Sequence, residues 1–477
     1  MATAPPLAPP EIPEATIGPV QERELPEAPP LRRIIGPSVI LVGVGIASGE
    51  YILFPFIASQ VGLVFLWAAL VGLLTQYFIN MEVERYTLAT GETAITGFQR
   101  LWKPFGLVMV ACAIIPNMWP GWVVSAATIT TFLFGGGDPN VIAICALLAI
   151  GIALSASPVV YQTIEKLEFV KVALVLVFLV VACAAAVTAT AWSDTSQIVT
   201  EFGNFPTGDL EWAVLLGALA YAGAGGTNNL VLSNWIRDKG YGMGHYAPRV
   251  VSPITGSEEA APAGKGYVFR PDEGNLGRWR DWWRKANIEQ FVSFFVIGAI
   301  TITVFSLVAY STVYGHPGAQ EDNFDFIQLE GNVLKEQVGA WFGTLFWLIG
   351  AISLFGAALG IIDYVSRLVA DVLRVGYLRD SKRWTESRLY FAIVWGIIAF
   401  GTIILAAGFD QPLTLIVLAA ALSGGAMFIY SALLIVINRK FMPDPLKIRG
   451  LRLLMLCFAF CLFGVMSVLV VINEASG

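Results

Sequence analysis

Residues 216–235 read LGALAYAGAGGTNNLVLSNW, an apolar segment long enough to cross a bilayer, whose core needs about 20 mostly apolar residues. Its middle sets Gly223, Gly225 and Gly226 directly before Thr227, Asn228 and Asn229. Glycine costs a helix about 1 kcal/mol per residue relative to alanine, and such a cluster followed by two amides makes a continuous rod unfavourable. A break is expected from Ala222 to Asn228.

The rest of the chain gives this break its setting. Of 477 residues, 56% are hydrophobic and only 13% charged, with a mean hydropathy of +0.69; soluble domains carry about a quarter charged residues. The composition is that of a polytopic, all-α membrane protein. Apolar runs fall near 34–58, 62–81, 104–133, 140–160, 169–191, 212–236, 288–314, 338–372, 389–408, 411–438 and 451–473, so eleven spans are expected. With the amino terminus inside, Lys335 alone of the 29 Lys and Arg falls outside, and the outer connections are acidic. Such bias fixes orientation through the positive-inside rule: amino terminus cytoplasmic, carboxyl terminus external, in a plasma (inner) membrane.

The first span contains GVGIASGEYILFP, residues 43–55, a weaker version of the same interruption. Gly43, Gly45 and Gly49 surround Ala47 and Ser48, and Glu50 follows. Interrupted segments at corresponding places in two halves point to a secondary transporter with its site at the repeat interface. The competing reading is glycine used for close helix packing. A carboxylate in hydrocarbon must be protonated, paired, or face a hydrated cavity or a cation. No Lys or Arg is placed near Glu50 by the sequence pattern, so a cation site is expected, built from Glu50, Asn228 and Asn229 with carbonyls freed near Ala47 and Ala222. Ser48, Gly49, Gly223, Gly226 and Thr227 would line it. These are hard oxygen donors.

Asp363, Arg367 and Asp371 lie at i, i+4 and i+8 on one face of the eighth span, an arrangement for a local ion-pair strip, read as an inner gate. The organisation expected is a disordered cytoplasmic tail over 1–30, a five-helix repeat over 31–193, a second over 210–438 with a cytoplasmic insertion at 238–286, and an eleventh helix at 450–473. The insertion ends in GRWRDWWRKA, residues 277–286, a composition suited to the headgroup level of the basic face. The five cysteines all lie in apolar runs and read as packing residues. No P-loop, dinucleotide fingerprint or metalloprotease helix is present, so neither enzyme activity nor a cofactor is expected, and nothing favours nucleic-acid binding.

Spans one and six resemble the first and sixth helices of the Nramp family of divalent-metal transporters. The resemblance implies a LeuT-type fold with inverted five-helix repeats. The family's Asp-Pro-Gly-Asn falls on Ala47, Ser48, Gly49 and Glu50, and its Met-Pro-His-Asn on Gly226, Thr227, Asn228 and Asn229. The family's aspartate, asparagine and methionine ligands are therefore Ala47, Glu50 and Gly226 here. The expected partner is a hard, possibly hydrated divalent cation moved across the lipid bilayer by alternating access. The alternatives are a small organic or cationic solute on the same architecture, or a non-transporting membrane sensor; oligomeric state is left open. The orientation is testable: in a background lacking the native cysteines, Ser476→Cys should be labelled by an impermeant thiol reagent from the outside. Labelling from the cytoplasm alone would reverse the topology.

Overall fold

The computed structural model describes residues 11–156, 160–247, 266–316, 324–408 and 412–476. Part of the insertion (248–265) and the first ten residues of the tail lie outside that set. Among the described residues, nine helices are long and apolar enough to cross a membrane. This number differs from eleven at two places. The run Pro37–Thr90 counts once although it has 54 residues, more than twice what one crossing needs at about 1.5 Å per residue. It turns at Gly62, whose φ of 73° suits glycine. The sixth segment is uncounted because it is split into Trp212–Ala220 and Asn228–Lys239, each too short alone.

The first segment comprises Pro37–Gly45, a π-helical turn Ser48–Leu53 and Phe54–Val61; the second is Leu66–Thr90, ended by Gly91 in the left-handed region. The third is also interrupted, Phe105–Asn117 and Gly121–Phe134, where Pro120 denies the ladder a donor. Pro139–Ala156 and Val160–Ala185 are the fourth and fifth. The eighth, Ala340–Gly376, packs on the third, first and fifth, with the ninth, Glu386–Ala406, beside it. The tenth, Pro412–Lys440, lies against the first half of the sixth and against the last helix, Gly450–Ser476. This arrangement puts both broken segments inside the bundle, and their central residues are buried.

Two expectations change. The tryptophan-rich stretch is not a separate segment: Glu273–Gln290 continues through a π turn, Phe291–Val296, into Ile297–Thr312, so it is an extension of the seventh span. Asp272 caps its start by accepting from the Asn275 amide at 2.8 Å, and no glycine or proline interrupts 278–297. Trp279 and Trp282 are buried, and the Trp282 indole donates to the Pro26 carbonyl at 2.8 Å. Their apolar faces meet protein instead of lipid headgroups.

The tail is ordered over residues 11–30, where its composition predicts disorder. Ile17 and Leu25 are buried, and Gln21–Glu22 pairs in parallel with Tyr267–Val268 of the insertion. Several of its carbonyls accept from side chains of the membrane body.

Candidate functional site

The sixth segment stops being helical after Ala220 and resumes at Asn228. Gly223, Gly225 and Gly226 have φ of 103°, 75° and 56°, a region other residues enter only with strain. In the first segment the helix ends at Gly45, and Ala47 has φ −164° and ψ −77° before the π turn that contains Ser48, Gly49 and Glu50. Both breaks thus fall where the glycines place them. They also touch. A Cβ added at Gly45 would lie 1.3 Å from the Gly223 carbonyl oxygen, and one at Gly49 would lie 1.9 Å from that of Tyr221. The glycines therefore serve both readings, allowing the break and letting the two backbones meet.

Unwinding exposes backbone groups that hydrocarbon cannot satisfy, and here Gln76 of the second helix satisfies them. Its amide nitrogen donates to the carbonyls of Ala220 (3.0 Å) and Ala222 (2.6 Å), and its oxygen accepts from the amides of Ala224 (3.1 Å) and Gly225 (2.8 Å). Tyr430 donates to the Gly226 carbonyl at 2.9 Å. The Asn229 side-chain nitrogen is turned toward Gln76 at 3.4 Å, whereas the Asn228 side-chain amide is buried without a hydrogen bond among the described residues. Sequence reasoning misses Gln76; the available signal is an amide inside an apolar helix. Around the break stand aromatic rings: Tyr221 lies 6.2 Å from Trp122 between centroids, and the Tyr364 hydroxyl lies beside Thr227 and Asn117.

Glu50 is fully buried; its carboxylate lies near the backbone amides of Ala47 and Glu50 but has no side-chain hydrogen-bond partner among the described residues. It does have an electrostatic neighbour. Lys171, counted among the cytoplasmic Lys and Arg in the positive-inside pattern, sits inside the fifth helix, buried, in an ion pair of 2.7 Å with Glu168 and within electrostatic reach of Glu50. The fifth helix begins at Val160, so the polar stretch that resembles a loop is helical. Glycines admit the pair between neighbouring spans: a Cβ at Gly43 would meet Glu168 Oε2 at 2.3 Å, and one at Gly356 would meet Lys171 Cδ at 2.8 Å. One lysine faces two carboxylates, so the group is neutral only with a proton or a further cation.

Nearer the tail, the ion-pair strip is only half as expected. Arg367 pairs with Asp363 at 2.8 Å but turns its other side to Asp238 of the sixth segment. Asp371 is taken by Arg237 at 2.7 Å and by the Thr93 hydroxyl at 2.6 Å. Arg237 also reaches Glu386 at 2.6 Å, and Tyr390 donates to Asp363 at 2.7 Å. The pairs therefore cross between the second half of the sixth segment and helices eight and nine. A buried ion-pair network contributes little net stability, yet removing one partner from it is costly because the other charge is left buried alone. Among the described residues there is no group of three or more His, Cys, Asp or Glu side chains arranged to hold a metal.

An apolar bundle with two mutually touching broken helices defines an integral membrane protein of the LeuT-type fold. Known structures agree. One mutant of the Eremococcus coleocola manganese transporter, a histidine-to-alanine variant, is similar over 96% of this chain and 90% of its own, with TM-score 0.65 and 10% identity. A second, glutamate-to-glutamine variant of that transporter gives TM-score 0.65 and 11% identity over the same shares. Mhp1, a nucleobase-cation-symport-1 family transporter in a closed conformation with bromovinylhydantoin bound, gives 0.52 at 11% identity over 96% and 92%. At this identity the likeness is one of fold. A family profile described as amino acid permease matches residues 286–476, fewer than half of the chain. No curated protein matches by sequence.

Two outcomes test the site's construction. Gln76→Leu strands four backbone groups, each costing about 1–3 kcal/mol when buried and unmet, so thermal unfolding should shift down by several degrees; an unshifted transition would show that the break supports itself. Gly45→Val should drive the breaks apart and destabilise the fold by more than about 3 kcal/mol, measured by denaturant or thermal unfolding in detergent. Gly396→Ala, in the ninth helix, meets nothing within 4 Å and should have a much smaller effect.

Proposed function

We propose that the chain is a secondary transporter that moves a hard cation by alternating access about the paired breaks. The observation that carries this reading is the charge count around Glu50: two buried carboxylates face one buried ammonium, and the Glu50 carboxylate has no side-chain hydrogen-bond partner among the described residues, only the backbone amides of Ala47 and Glu50 nearby. Hydrocarbon tolerates a net charge poorly, so the missing positive charge is a bound cation or a proton. Glu50 stands at the hinge of the first segment, where a cation bound at its carboxylate would also meet carbonyls of the broken backbone. The Asn228 side-chain oxygen, which makes no hydrogen bond among the described residues, and the Thr227 hydroxyl beside Tyr364 are the further donors we assign. Lys171 and Glu168 would then act as a fixed pair that positions Glu50 and sets the local field. The arginine network between the sixth and eighth segments would serve as the inner gate. Eleven crossings with a cytoplasmic amino terminus complete the reading.

The aromatic surround favours a second reading. Trp122, Tyr221 and Tyr364 beside an uncharged, unwound backbone suit the apolar part of an organic solute, with Glu50 holding its ammonium group or a coupling cation. The match of the carboxyl-terminal part to amino acid permeases supports this, while the shared architecture with a manganese transporter supports the first.

Glu50→Gln separates them. On purified protein screened with magnesium, calcium, manganese, sodium, amines and amino acids, the wild type should gain thermal stability from a cation by mass action. Glu50→Gln should lose that response while remaining at least as stable without ligand, because a buried unpaired charge is removed and the shape kept. A response of the wild type to amines or amino acids that Glu50→Gln weakens, with none to metals in either protein, would favour the organic solute. An unchanged metal response in Glu50→Gln would overturn the cation reading at its central residue.

A further inference from the structure

The ordered tail bridges two parts of the bundle that alternating access would have to separate. On one side, Arg100 of the short helix Ala94–Leu101, which packs mainly on the third, eighth and tenth segments and more lightly on the second and sixth, donates to the carbonyls of Pro13 at 2.6 Å and Gly18 at 3.0 Å. Arg379, just after the eighth helix, donates to the Ile17 carbonyl. On the other side, Asn275 accepts from the Leu25 amide at 3.0 Å and Trp282 donates to the Pro26 carbonyl at 2.8 Å, both from the extension of the seventh span. The tail then enters the first segment, whose start is held in turn: Lys239, at the end of the sixth segment, donates to the Ile35 carbonyl at 2.5 Å.

The buried ion pairs of the inner gate span the same division, joining Arg237 and Asp238 of the sixth segment to Asp371 and Arg367 of the eighth. A cytoplasmic opening has to part the eighth helix from the first and sixth segments. It would rupture these pairs and, at the same time, pull Pro13–Gly18 away from Leu25–Pro26. The tail is rich in proline, which favours an already extended chain with little slack to lengthen. We infer that residues 11–30 are an intramolecular strap that holds the cytoplasmic gate shut, so that detaching the strap favours the inward-open state. This rests on the alternating-access reading above, but on no particular substrate.

Two full-length variants detach the strap without touching the gate. Ile17→Asp combined with Leu25→Asp places charges where the tail is buried, and Arg379→Gln removes one attachment alone. The readout is the rate at which Ser366→Cys is alkylated from the cytoplasmic side, in a background without native cysteines; Ser366 is fully buried, one position before Arg367. Arg237→Gln, which breaks the gate itself, is the reference. The double variant should be alkylated about tenfold faster, equivalent to about 1.4 kcal/mol less resistance to opening, and Arg379→Gln faster by a smaller factor, each with cooperative unfolding retained. Unchanged rates in both tail variants alongside a raised rate in Arg237→Gln would overturn the strap while leaving the gate standing. Unchanged rates in all three would overturn both.

Discussion

The contact between the Gly45 and Gly223 backbones is the constraint on which the rest of the molecule depends. Two helices can touch main chain to main chain only where neither carries a side chain, and two can be broken in hydrocarbon only where the freed amides and carbonyls find partners. The first condition is met by glycine and the second by Gln76 and Tyr430. The interior charges are arranged around that contact. Glu50 lies a few residues along from it, the Glu168–Lys171 pair is accommodated by Gly43 and Gly356, and the arginine network joins the sixth segment to the eighth nearer the tail.

The arginine network and the charges around Glu50 differ in kind. The arginine network holds Arg237 and Arg367 against four carboxylates, and every one of these side chains has a direct ion-pair partner. Most of its pairs join different helices, so they can be made and unmade as parts separate. Around Glu50 the fixed pair lies within one helix and cannot be separated by helix motion. A permanent pair next to an unpartnered carboxylate is an environment whose charge changes only by what enters it.

Legibility from the sequence follows the range of the physics. The breaks are readable because the left-handed conformations of Gly223, Gly225 and Gly226 are a local property. The ion-pair strip is half readable: Asp363 and Arg367 are one turn apart on a helix, whereas the partner of Asp371 comes from a residue 134 positions away. Lys171 is misplaced because a polar stretch at a helix start resembles a loop, and only the glycines of two other helices show that the pair is accommodated inside. Gln76 serves backbone groups 144 to 149 residues distant, which no local pattern reports. The tail's prolines read as disorder, yet its carbonyls are held by Arg100, Arg379 and Trp282.

The seventh span has no glycine or proline from Arg278 to Ile297, and its helix runs in all from Glu273 to Thr312, about 60 Å at the rise of an ideal helix. Partway along, Phe294 in its π turn presses on the Gly223 position, where an added Cβ would meet the ring at 2.6 Å. The same continuous helix lies against the tail through Trp282 at one place and against the break of the sixth segment through Phe294 at another, so a single element is in contact with both.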